Sequence, residues 1–148
     1  MYIIASDSIE AAQRLAPDAD ARASLDALAT MVDRLHELET AYPQRMLAAR
    51  KAAGETVPPL SRAARDEIEA SEGAAANVLK LQRRRCRRAM TAHEVIEALI
   101  PDARYDLKAW EWMLRECDTG PPRDVLLEIV ETKRSLVDAM RDFGRRFR

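Results

Sequence analysis

The sequence predicts an all-α protein, an elongated bundle of four main helices and a short N-terminal one. Three observations carry this. Ala, Leu, Arg and Glu are abundant, and the chain of 148 residues has only four glycines; residues of this kind lose little freedom in a helix. β-branched strand formers are scarce. Apolar residues recur at three- and four-residue steps along most of the chain, the period of a helix with one buried stripe. With 47% apolar residues, a chain of this length buries a core as one domain, 1–148, without disulfide or metal staples.

Asp7 followed by Glu10 has the spacing of a capping box, which predicts a short helix over 7–15, ahead of Pro17. Asp18 caps the next helix, 18–51, where Leu25, Leu28, Val32, Leu35, Leu38, Tyr42, Met46 and Ala49 form the stripe. Pro43 either kinks or splits it, because a proline removes a hydrogen bond to the carbonyl four residues back. Gly54, Pro58 and Pro59 mark 52–60 as a linker.

Ser61 caps the third helix. Its seam runs Ala64, Ile68, Ser71, Ala75, Val78, Gln82, Arg85, Ala89, Ala92, Ile96 and Leu99. Such a 3.5-residue repeat suits coiled-coil packing, so the expectation is one helix over 61–100 lying antiparallel to the 18–51 arm. A continuous helix of that length spans about 60 Å; either the molecule is elongated or the helix breaks near Gly73. Pro101 ends it and Asp102 begins the fourth helix, to about Cys117. The turn Asp118–Pro122 leads into the last, 122–147, with Leu126, Ile129, Val130, Lys133, Val137, Met140, Phe143 and Phe147 on one side.

The net charge of −1 gives no general attraction to nucleic acid or to a membrane surface. No window approaches the ~20 apolar residues of a membrane span. Cys86 and Cys117 stand apart with no metal or disulfide spacing, and the start of the chain has no basic leader; the expectation is a cytoplasmic protein with free thiols. Charge is unevenly spread. Residues 1–40 hold eight acids against three arginines, while 83–88 and 141–148 are basic.

The run Arg83, Arg84, Arg85, Arg87, Arg88 is the most distinctive feature. On the heptad register Arg83, Arg84, Arg87 and Arg88 fall off the seam, free for a partner. Arg85 falls on it beside Gln82, and a buried unpaired guanidinium costs several kcal/mol. The expected solution is a polar layer in which Gln82 and Arg85 meet an acid such as Glu39 or Glu131. The alternatives are a seam that opens to bind an acidic partner segment, or contact with phosphate or nucleic acid. Against the last, no aromatic residue interleaves with the run.

The helix 102–117 has an apolar arc of about 220°, more than one core requires. Either it is sandwiched between two layers, or one edge, with Tyr105, Trp110, Trp112 and Met113, is a partner surface, where Trp and Met are enriched.

His93, Glu94 and Glu97 form half of a zinc-protease pattern, but the second histidine is missing. Asp33 and His36 have the spacing of one arm of a carboxylate-bridged metal site, yet the chain has only two histidines; no metal or cofactor is expected. Flanking cations lower a thiol pKa, so Cys86 is either a reactive thiol or a small residue at the seam edge. No phosphate loop or nucleophile motif is present.

The sequence therefore points to a non-enzymatic helical protein–protein interaction module, an adaptor, regulator or chaperone-like subunit with an acidic protein partner and a tendency to form homo-oligomers. The alternative is a nucleic-acid or phosphate-binding protein using the arginine run.

Overall fold

A computed structural model describes residues 3–148 as an all-α bundle: α1 (Ser6–Arg14), α2 (Ala19–Ala52), α3 (Arg62–Arg88), α4 (Ala92–Glu116) and α5 (Pro121–Arg146), with no strand among the described residues. The local chemistry explains most of the ends. Asp18 caps α2 by accepting from the Ala21 N–H at 2.8 Å, and Ser61 caps α3 by accepting from the Ala64 N–H at 3.1 Å. Gly120, at φ 122°, makes the turn that lets Pro121 open α5; proline suits a first helical position, where its missing N–H would have no partner. Arg123 reaches back to the Leu114 and Cys117 carbonyls, closing the end of α4.

Three local expectations change. The box at Asp7 and Glu10 is not used: α1 begins at Ser6 after Ala5, with no side-chain cap, and Asp7 pairs with Arg83. The helix over 61–100 is two helices, and the break is not at Gly73, which lies within α3, but at Ala89–Thr91. Thr91 accepts from the Glu94 N–H at 3.1 Å while the Glu94 carboxylate accepts from the Met90 N–H at 2.7 Å. One donor orphaned by the helix start and the amide just ahead of the cap are thus satisfied, a variant of the capping box. Pro101 then ends nothing; it sits inside α4, as Pro43 sits inside a continuous α2. Both prolines are exposed. Buried neighbours, Ile96, Leu99 and Ala103 around one and Leu38 before the other, hold each helix together against a cost of about 3 kcal/mol.

Packing follows from the break. The core is built from α2, α4 and α5; α1 lies on α2 and α4, and α3 touches only α1 and α4. The two long arms therefore do not pair, because the seam's second half (Ala92, Ile96, Leu99) turns into the core as part of α4. Its first half is left outside. Of α3's 27 residues only Gln82 and Cys86 are buried.

The core has two apolar clusters. The larger includes Ile9, Leu25, Leu28, Val32, Val95, Leu99, Met140 and Phe143; the smaller holds Leu38, Trp110, Leu114, Leu126, Ile129 and Val130. One residue from each core helix separates them: Glu39, Asp106 and Lys133. The Lys133 ammonium is 3.0 Å from Glu39 Oε1, donates to Asp106 Oδ2, and lies 5.2 Å from the Trp110 ring centre. Burial raises the Glu39 carboxyl above its ordinary range, and Lys133 opposes that. Glu39 is thus the partner of Lys133, not of Arg85.

Candidate interaction surface

Gln82 is the point where α3 joins the body. Its Oε1 accepts from the Ala5 N–H (3.2 Å) and the Ser8 hydroxyl (3.1 Å), and its Nε2 donates to the Ile3 carbonyl (2.7 Å) and Asp102 Oδ2 (3.0 Å). All four capacities of the amide are used, so the predicted polar position exists but its partners are backbone, Ser8 and Asp102. Arg85 reaches the layer only from its rim, through the same Asp102. Its side chain is 56% exposed, with Asp102 Oδ1 at 4.0 Å. The reason is pitch. A straight helix advances 3.6 residues per turn, so after five turns the stripe from Ile68 arrives at Cys86 and leaves Arg85 to one side. Cys86 takes the buried slot.

Burial raises the Cys86 thiol above its ordinary value; the Ser8 hydroxyl and Arg85 only partly oppose this. Burial thus outweighs the flanking arginine charge at this thiol. The flanking arginines are all exposed. Arg83 Nε donates to Asp7 Oδ2 at 2.8 Å. Arg84, Arg87 and Arg88 have no ion-pair partner among the described residues, so the structure leaves these three guanidiniums available.

Ahead of Gln82, no residue of α3 is buried. Ile68 is exposed and Ala64, Ala75, Val78 and Leu79 are half-covered. At 100° per residue these side chains, Gln82 and Cys86 fall on one face. The body buries the last two of this stripe, and the rest is at most half-covered by the described residues.

The wide arc of α4 resolves into two faces. Trp110 is buried edge-on against Tyr42, with ring centres 5.0 Å apart, and Met113 packs at the margin of the smaller cluster. Those two expected partner residues belong to the core. Tyr105 and Trp112 are 76% and 58% exposed. They stand seven residues apart on the outer side of α4, two turns along the same face.

His36 holds the N-terminal segment, its ring 2.9 Å from the Ile4 carbonyl and 3.4 Å from the Ser6 hydroxyl. Among the described residues no group of three or more His, Cys, Asp or Glu is placed to hold a metal, and no helix is long and apolar enough to cross a membrane. Sequence reasoning missed the Lys133 layer and the free face of α3. The first had a signal, a lone lysine on the apolar side of the last helix; the second depended on where one helix stops. Compared with protein-family models, the curated proteins and the solved structures, the chain matches none.

Proposed function

We propose that this chain is a non-enzymatic protein-interaction module, working in the cytoplasm, whose docking element is α3. The observation that supports it most is the unburied stripe: a 27-residue helix with only Gln82 and Cys86 buried, and Ile68 and its neighbours facing outward. Isolated helices are marginal in water, and most helical stability comes from packing an amphipathic face. The partner is a helix of another polypeptide, a second copy of this chain included. The exposed Tyr105 and Trp112 add a place where such a partner extends onto α4. Free thiols at Cys86 and Cys117 fit a reducing compartment.

The test places a photo-crosslinking amino acid at position 68 in cells and identifies the adduct, alongside light scattering of the purified chain and of Ile68→Asp. The reading expects a crosslinked polypeptide, lost with Ala75→Asp two turns away, and for Ile68→Asp no stability change beyond about 0.5 kcal/mol, since Ile68 is exposed. Absence of any adduct would remove the reading; an adduct with another protein from a monomeric chain would remove only self-association.

Phosphate or nucleic-acid binding is the second reading, supported by the unpaired Arg84, Arg87 and Arg88. Its signature is salt-sensitive retention on a phosphate polymer that weakens evenly when any of the three becomes Ala.

A further inference from the structure

One cleft lies between α1 and the end of α3, and a second lies beyond the ends of both helices. The smaller, about 160 Å³, is lined by Arg14, Arg83 and Arg87 with Asp7, Ser8, Ala11 and Cys86. The larger, about 330 Å³, is floored by Leu15, Pro17, Met90 and Phe147 and edged by Arg148. Arg14 and Leu15 are neighbours, and three positions separate Arg87 from Met90. The two clefts share no lining residue but adjoin along the chain at these two points, one basic and the other largely apolar. Together they draw on the two basic segments of the sequence, the arginine run and the C-terminal turn.

We propose that the surface holding these two clefts docks an acidic segment of a partner protein carrying one large apolar side chain, which enters the larger cleft while its carboxylates meet Arg14 and Arg87. Different residues carry this than carry the reading of α3's free stripe, so the two fail separately. Charge complementarity selects the occupant. Asp7, the one acid lining the smaller cleft, is held by Arg83, and Arg14 and Arg87 form no ion pair among the described residues. Glu94 lines the larger cleft, yet its carboxylate is bound to the Met90 N–H. Met90 is 80% exposed, and a thioether side chain adapts to varied apolar partners.

A neutral ligand would leave the guanidiniums unused, and a bare polyanion would leave Met90, Leu15 and Phe147 unused. An acidic amphipathic segment uses both. A bilayer is disfavoured because the apolar floor is concave and the net charge of −1 supplies no long-range attraction.

The test selects random twelve-residue peptides displayed on phage against the full chain at low salt, with Arg87→Glu and Met90→Asp as counter-targets and circular dichroism as the folding control. Expected winners carry several Asp or Glu around a Leu, Phe or Trp. A synthetic winner should lose at least about ten-fold in affinity, ~1.4 kcal/mol, with either variant and nothing with Ile68→Asp. No enrichment, enrichment of basic peptides, or winners indifferent to both variants would overturn the proposal. So would co-sedimentation with phosphatidylserine vesicles in the absence of any peptide winner, which would assign the surface to lipid.

Discussion

Replacing Lys133 by Met tests the ionic layer most directly. The side chains are close in length, so the substitution opens little space and isolates the charge. In the folded chain the Lys133, Glu39 and Asp106 side chains are 4%, 2% and 13% exposed. Removing the ammonium strands two carboxylates between two apolar clusters, and breaking a buried pair costs about 3–5 kcal/mol. For a chain of this size each kcal/mol moves Tm by about 2–4 °C, which predicts a drop of about 6–20 °C.

The pH dependence has a definite sign. Burial raises the Glu39 carboxyl and Lys133 pulls it back, so without the lysine it rises further. A carboxyl raised by folding binds its proton more tightly in the native state. Stability therefore falls as pH climbs from the ordinary carboxylate range through the folded value, and the variant loses more at pH 7.5 than at pH 5.0. Urea unfolding at both pH values, fitted as two-state, reads this. The double variant Glu39→Leu, Lys133→Met recovers at least half of the loss, because only the partly exposed Asp106 remains. A loss below about 1 kcal/mol, or equal losses at the two pH values, would refute the account.

Two further substitutions probe the joints of α3. Gln82→Leu strips partners from the Ala5 N–H, the Ser8 hydroxyl, the Ile3 carbonyl and Asp102, at about 1–3 kcal/mol for each buried group left bare. Hydrogen exchange should show protection lost in α1 and the last turns of α3 and retained in α2, α4 and α5, and a uniform response would argue against Gln82 as the joint. Thr91→Ala removes the cap of α4 and should lower unfolding stability by about 1 kcal/mol, with Thr91→Ser restoring it; an unaltered urea midpoint would mean that the break at Ala89 is imposed by packing instead.

Much of the fold was readable from side-chain periodicity. The stripe from Leu25 to Leu38 and that from Leu126 to Phe143 are buried where spacing put them, because each faces the core helices along its length through both clusters. The third helix misled for a definite reason. Its seam stays in register across Ala89, so periodicity could not report the stop, while Thr91 and Glu94 carried the signal in hydrogen-bonding chemistry. The surface was legible only in part. The arginines off the seam are exposed as their spacing implied, but whether Arg85 or Cys86 turned inward depended on a straight rather than a supercoiled helix. Trp110 and Trp112 are two positions apart, and only the placement of α5 and Tyr42 decided which was buried.

The ionic layer also bears on how this chain tolerates change. Leu, Ile and Val on either side of it can be exchanged for one another at modest cost, and apolar contacts alone would permit α5 to slide along α2 and α4. A slide of one turn, about 5.4 Å, would carry the Lys133 ammonium in among the residues around Leu35 or Tyr42 and leave two carboxylates without a counter-charge. Three charges, one per helix, thus act as an index mark that admits a single alignment. Apolar positions above and below are free to drift in sequence while the helices keep their places.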